Sequence, residues 1–268
     1  MKLGCCIENN PKITKVMTVY LRDFDGDFRF RGETHNFFEL VCVCEGKISV
    51  AADAKIFQLT KGQAILHNPM QFHSFSVEGN KQAKVAVFSF LGENIPCIQD
   101  RVCEIRDISM VKSLVRLAQK HFLFEGLANI IEPKANDFSH IIYVKKLELF
   151  LLELASNLTQ SNQALSQSAK NYSLIVNTMN DNVNKRLSVC ELAELCNMSE
   201  INLQKTFSRY AGVGVMEYFN RIKMGLAADY LKEGRSVKET ALLLGFQDQN
   251  YFSTAFKRIT GHPPTRKS

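Results

Sequence analysis

The sequence predicts an α+β protein, with an antiparallel β-barrel and appended helices in the amino-terminal part and an all-α carboxy-terminal part built on a repeated pair of helices. Three observations carry that expectation. Residues 16–91 alternate short Val-, Ile-, Phe- and Cys-rich segments with turn formers, the pattern of many short strands. After residue 106 the apolar period lengthens from two to about three and a half, which is helical. Finally, Ser188, Val189, Glu191 and Ala193 return 48 residues later as Ser236, Val237, Glu239 and Ala241.

The barrel strands are expected at 16–21, 37–44, 47–51, 55–59, 63–67, 72–77 and 83–91. Glu45 and Gly46, Lys61 and Gly62, Asn68 and Pro69, and Glu78 to Asn80 separate them as turn formers. Asp107 can cap a helix that carries Val111, Leu114, Val115, Ala118 and Phe122 on one side, and a second helix is expected over 139–158. Leu147, Leu151, Leu154 and Leu158 are spaced as a coiled-coil seam would be, so they are expected at a dimer interface or packed on the barrel. Residues 156–171 are dominated by Ser, Asn, Gln and Thr, the composition of an exposed linker.

Each copy of the repeat opens with Ser-x-x-Glu, a capping box that starts a helix at the serine. Asn197 and Gly245 then stand where a tight turn needs a left-handed residue, and Met198 and Phe246 follow as apolar plugs. Ser199 and Asp248 cap a second helix in each copy, with Leu203 and Phe207 matching Phe252 and Phe256 at an offset of 49. One residue has been added in the second turn. Gly212 and Gly261 end the copies, and a helix over 215–232 joins them with Phe219, Ile222, Leu226, Ala227 and Tyr230 at core spacing. A small alanine, a tight turn and a short second helix make the helix-turn-helix pattern. The joining helix is about 27 Å long, so two such units can face successive major grooves about 34 Å apart.

From about residue 172 onward the chain resembles the AraC/XylS family of transcription regulators. The resemblance rests on Leu192, Ala193, Met198, Ser199, Leu203, Phe207, Gly212, Tyr218, Arg221, Ala227, Leu231, Ser236, Val237, Ala241, Gly245, Phe246, Tyr251, Phe252, Phe256, Lys257, Gly261 and Pro264. After Pro264 the chain has Thr265 to Ser268, where the family usually has a Tyr-Arg pair. The resemblance implies a cytoplasmic, effector-responsive activator. It further implies four partners: promoter DNA, a small-molecule effector, a second copy of the chain in a homodimer, and RNA polymerase. No cofactor is expected, and no enzyme activity. Residues 1–105 are then a cupin-like ligand-sensing barrel, 106–158 a helical dimerisation or packing segment, 159–171 a linker and 172–268 the DNA-binding domain.

Carried over to the recognition helices, the family's docking puts Ile201, Gln204 and Lys205 in the first unit at base edges, with Gln249, Asn250, Ser253 and Thr254 in the second. Gln suits adenine, Lys suits guanine and Ile suits a thymine methyl. Ser199, Arg209, Lys257 and Arg258 are expected at phosphates. Charge agrees in sign, since Lys and Arg outnumber Asp and Glu by 13 to 9 from Tyr172 onward, within a net +6 for the 268 residues.

In the amino-terminal part His35, Phe38, Glu39, Gly46, Gly62, Pro69 and His73 resemble the sensor barrel of the same family. His35, Glu39 and His73 are the expected effector pocket. The same residues invite a metal reading, and with it the alternative of a cupin metalloenzyme fused to a DNA-targeting domain. Against it, position 37 is Phe where enzymatic cupins have a second histidine, and no Asn follows His73 at the enzymatic spacing, so no metal is expected.

Several other classes are disfavoured. Met1 to Lys12 has no apolar run of signal-peptide length, and Lys145, Lys146, Glu148 and Glu153 interrupt the most apolar stretch, which excludes a membrane-spanning helix. The eight cysteines form no Cys-x-x-Cys pair and are expected as reduced thiols. Cys42 and Cys44 share a strand face and with Cys5 and Cys6 could form a thiol sensor, although strand packing explains the first two without one. A related family repairs alkylated DNA through a Pro-Cys-His-Arg thiol. Ile98 and Gln99 follow Pro96 and Cys97 instead, so that activity is not expected.

Overall fold

The structure, a computed structural model, describes residues 10–77, 82–98, 101–135, 137–158 and 166–264. The turn at residues 78–80, Cys5, Cys6 and the Thr265–Ser268 tail lie outside the described residues. The chain divides into two compact units, residues 1–52 with 57–164, and residues 165–268 with the short segment Asp53–Ile56. The first is an antiparallel β unit with helices and the second is all-helical, an α+β protein overall.

All seven expected strands are present as β1 Lys12–Phe24, β2 Phe38–Glu45, β3 Lys47–Ala52, β4 Lys55–Thr60, β5 Gln63–His67, β6 His73–Val77 and β7 Ala83–Glu93. The short β8 Cys103–Glu104 and the hairpin of β9 Phe122–Glu125 and β10 Asn129–Pro133 complete two sheets, ordered β8-β5-β2-β7-β1-β10-β9 and β4-β3-β6. Strand β2 shows why the segment had to be apolar throughout. Leu40, Cys42 and Cys44 point into one core with Phe88 and Phe90, while Val41 and Val43 point into another with Ile48, Val50 and Leu59. A strand buried on both faces reads as a continuous apolar run rather than an alternating one. Burial raises the thiol pKa of both Cys42 and Cys44, which makes them packing residues of low reactivity.

Helix α1 Ile108–His121 starts where expected, with the Asp107 carboxylate accepting from the Ser109 amide at 2.8 Å. Phe122, expected on the first helix, instead starts the β9–β10 hairpin of residues 122–133, and α2 runs Ser139–Ala155, stopping short of Leu158. Leu147, Leu151 and Leu154 are buried in the core of the β unit beside Val111, Leu114 and Phe150. They are not presented as a seam to a second chain, and Leu158 lies beyond the helix in a bridge to Cys103. The spacing is that of an apolar helix stripe, and the nearest apolar surface took it. Buried Glu148 fastens the same helix, accepting from the Ile13 amide at 2.8 Å and from Lys145 at 2.7 Å.

The second unit opens with α3 Gln167–Asp181, so residues 167–171, expected in the linker, are helical because the Ser166 hydroxyl caps them. There follow α4 Val189–Leu195, α5 Glu200–Ala211, α6 Val215–Lys232, α7 Val237–Leu243 and α8 Gln249–Thr260. Tyr172, Phe207, Tyr210 and Tyr218 pack together under α3, α5 and α6. Met224, Ala227, Leu231, Leu244, Phe252 and Phe256 form the core of the second helix pair. The buried stripe of α6 runs through Tyr218, Phe219, Lys223, Met224, Ala227 and Leu231, whereas Ile222, Leu226 and Tyr230, expected in it, are half-buried.

Both turns reverse through a left-handed residue, Asn197 at φ 53° and Gly245 at φ 75°. They differ in the space around them. A Cβ at Gly245 would lie 2.6 Å from the Asn184 carbonyl oxygen, a main-chain atom that cannot swing away. Gly245→Ala should therefore destabilise the helical unit by about 1–3 kcal/mol in urea unfolding, combining backbone strain with the clash, while Asn197→Gly should change it by well under 1 kcal/mol. Equal effects at the two positions would contradict this account.

Candidate nucleic-acid interface and the sensor cluster

In the first pair, Ser188 accepts from the Glu191 amide at 3.2 Å and Glu191 accepts from the Ser188 amide at 2.7 Å, the complete capping box that the sequence predicts. Ser199 caps α5 by accepting from Asn202. With Leu203, Phe207 and Tyr210 buried, the outward positions of α5 hold Ile201, Gln204 and Lys205, all exposed, Ile201 at 80%. An isoleucine so exposed leaves most of its apolar surface uncovered by the described residues. Gln204 donates to Glu200 at 3.2 Å, a surface bond that a better acceptor can replace. Ser199 and Arg209 are exposed at the two ends of the helix.

The second pair has only half of its capping box. Ser236 accepts from the Glu239 amide at 3.1 Å, but the Glu239 carboxylate turns to Arg235 at 3.4 Å. Asp248 caps α8 by accepting from Asn250 at 2.7 Å, with Gln247 as the added residue of the turn. Gln249, Asn250 and Thr254 are exposed and Ser253 is half-buried; Lys257 and Arg258 are exposed in the last turn. Tyr251, not among the expected contacts, is also presented at 59% exposure.

A residue that the sequence reading passed over holds the two pairs together. Lys223 on α6 is 4% exposed, and its Nζ donates to the Lys185 carbonyl at 2.6 Å, just before the first pair, and to the Leu244 carbonyl at 2.8 Å, in the turn of the second. The ammonium lies 4.7 Å from the ring centre of Phe219 and 5.3 Å from that of Phe246. Burial pushes its pKa down to about 8. Lys223→Met keeps the stem but orphans two carbonyls, so it should cost about 1–3 kcal/mol in urea unfolding at pH 7. The folded state gives up this proton near pH 8 and the unfolded chain near 10.5, so the contribution of Lys223 to stability rises across that window. The margin of the parent over Lys223→Met should therefore widen between pH 8 and 10; a margin that narrows would show the charged form to be the favoured one.

The β unit gathers the three expected pocket residues and adds a fourth. Glu39 sits on β2 between its register partners His67 on β5 and Ser89 on β7; His73 begins β6; His35 lies in the connection from β1 to β2. Glu33 in the same connection pairs with His73 through an isolated bridge. His73 Nε2 is 3.2 Å from Glu39, His35 Nε2 is 3.6 Å from Glu39, and both histidines are 3.8 Å from Glu33. Phe37, occupying the position of the missing second histidine, stacks on the His35 ring at 3.7 Å. Burial alone would raise the Glu39 pKa, but the imidazoles of His35 and His73 hold it well below the usual carboxylate range. Burial likewise opposes charge on His73, yet Glu39 raises its pKa overall. His67, stacked on His73 at 4.4 Å, is pushed down to about 3 by burial and by that neighbour.

The family model described as an AraC-like ligand binding domain matches residues 16–116, and that described as a helix-turn-helix domain matches residues 192–267. Among curated proteins, the bifunctional transcriptional activator/DNA repair enzyme AdaA of Bacillus subtilis is 29% identical over 94 residues, 35% of this chain and 44% of that protein. The uncharacterized HTH-type transcriptional regulator YidL of Escherichia coli is 36% identical over 92 residues, 34% of this chain and 31% of its own length. The chain thus spans less than half the length of these two relatives. The probable transcriptional regulator LumQ of Photobacterium leiognathi is 24% identical over 235 residues, covering 87% of this chain and 89% of that one. One model lies over the β unit and the other over the helix pairs, so the chain carries an AraC-like ligand binding domain followed by a helix-turn-helix domain, the two parts of an AraC-type transcription regulator.

Proposed function

We propose that the chain is a sequence-specific, effector-responsive transcription activator that acts in the cytoplasm as a homodimer and reads promoter half-sites through two helix-turn-helix units. The observation that carries this reading is the duplication itself. Two separately capped recognition helices present polar side chains at matching positions, and a buried lysine fixes the frame between them. Ile201, Gln204, Lys205, Gln249, Asn250, Ser253 and Thr254 are proposed to meet base edges, with Ser199, Arg209, Lys257 and Arg258 at phosphates. Occupancy would be passed on to RNA polymerase, the partner that activation requires. A small molecule held in the β unit would be the signal.

The dimer needs a different surface from the leucine seam. Helix α2 turns a second apolar stripe outward, through Phe138 at its cap, Ile142, Leu149 and Leu152, exposed at 77%, 55%, 53% and 41%. Leu149→Asp should shift the chain from dimer to monomer in sedimentation without lowering its thermal midpoint. Retention of the dimer would move the interface elsewhere.

The DNA reading is tested by footprinting the pure protein on the promoter beside its own gene. A protected bipartite region whose affinity falls steeply with salt is expected, and Arg258→Ala should flatten that salt slope by about one unit. Gln204→Ala should cost roughly 1–3 kcal/mol and relax preference at about one base position. Absence of protection at low salt would sink the DNA claim, and a uniform loss across sequences would count against a base contact by Gln204.

A further inference from the structure

The Glu33, His35, Glu39 and His73 cluster has a chemistry that a purely organic pocket does not call for. One ligand atom from each of the four lies within 4.8 Å of the others. Each histidine commits Nδ1 to a main-chain carbonyl, His35 to that of Phe37 and His73 to that of Gln71, both at 3.1 Å. A carbonyl only accepts, so each Nδ1 carries a proton, and in the neutral ring Nε2 offers a bare lone pair. Both Nε2 atoms point at the carboxylates of Glu39 and Glu33, which are acceptors too. Neither has a directed hydrogen bond, although the His73 side chain is only 3% exposed. Four electron pairs converge where only a cation can join them.

A metal ion fits as well as protons do, and the surroundings are those that a metal site uses. An imidazole locked through Nδ1 to a carbonyl is the arrangement that orients histidine ligands. Ser89 donates to Glu39 Oε2 at 2.9 Å and so fixes the carboxylate from behind. Ligands about 2.0–2.2 Å from a tetrahedral ion are separated by roughly 3.3–3.6 Å. Four of the observed separations are 3.2, 3.6, 3.8 and 3.8 Å, and all ligand atoms lie within 4.8 Å of one another, so closing on an ion takes side-chain shifts of up to about an ångström. Glu33, with 44% of its side chain exposed, leaves a way in from solvent.

We propose that Glu33, His35, Glu39 and His73 form a binding site for one divalent first-row transition-metal ion in the β unit. Two imidazoles with two carboxylates and no thiolate suit Zn²⁺, Fe²⁺, Mn²⁺ or Co²⁺ rather than Ca²⁺ or Cu⁺. That the ion serves as a signal, or anchors one, rests on the regulator reading; the binding itself does not. The expectation of no metal overlooked Glu33, which takes up the role that the missing histidine would have played.

The test uses the full chain, stripped with chelator and titrated with Co²⁺ as a visible probe, then with Zn²⁺ in competition. Saturation at one Co²⁺ per chain is expected, with ligand-field absorption that Zn²⁺ abolishes. Ser89→Ala, which removes only the support of Glu39, should weaken binding about 10–100-fold. Glu33→Gln, at the exposed rim, should weaken it at least as much with unchanged circular dichroism, so the result does not depend on whether His35→Ala folds. No saturable uptake, or uptake that neither Ser89→Ala nor Glu33→Gln alters, overturns the proposal. Salt-dependent affinity for promoter DNA, measured on the same samples, separates the two readings. Metal uptake without DNA affinity sinks the regulator and keeps the site; DNA affinity without uptake does the opposite.

Discussion

One buried ammonium decides how the helical unit holds its shape. A lysine in a protein core is tolerated only when its protons have acceptors, and Lys223 meets that condition by reaching two carbonyls that belong to different helix pairs. Burial of the charge is thereby converted into a cross-link. The Lys185 carbonyl lies just before α4, Leu244 lies in the α7–α8 turn, and α6 carries the lysine between them. Gly245 lies at the same junction, with no room for a side chain against the main chain of Asn184 and Lys185. Together they leave little freedom between the two helix pairs.

The β unit solves a similar problem with opposite means. Its two sheets are stapled by apolar side chains over most of their area, and charge is admitted at one end, where Glu39, His73 and His67 come from three different strands. No single strand determines the cluster. Its members are brought together by register, Glu39 opposite His67 and opposite Ser89, and by the Glu33 bridge to His73.

Local chemistry was readable and long-range choice was not. The seven strands, the caps at Asp107, Ser188, Ser199, Ser236 and Asp248, and the bounds of α6 follow from turn formers, capping side chains and period, each of which acts over a few residues. The β9–β10 hairpin escaped because its residues are mostly exposed and lack the apolar alternation of a half-buried strand. The leucine stripe of α2 was visible, but spacing does not say which surface covers it, and α1 together with the sheet of the same unit did so. Glu33 and Lys223 were missed for a common reason. Each is a polar residue whose partner is set by the fold, 40 residues away across the bridge to His73 in one case and 38 and 21 residues away in the other. Of the positions expected on the outer faces of α5 and α8, Ile201, Gln204, Lys205, Gln249, Asn250 and Thr254 are exposed and Ser253 is half-buried, while Tyr251 is exposed beside them.

Gln247 gives the duplicated unit a direction. With one more residue before α8 than before α5, and with Ile201, Gln204 and Lys205 exposed on α5 against Gln249, Asn250 and Thr254 on α8, the two helix pairs are not interchangeable copies. A chain laid along a duplex therefore has a distinguishable head and tail, and the two stretches of base pairs beneath it need not be tandem copies of one word. On the proposed two-unit reading, turning such an operator end for end would present each helix with the other's sequence, and the orientation of the site would itself carry information.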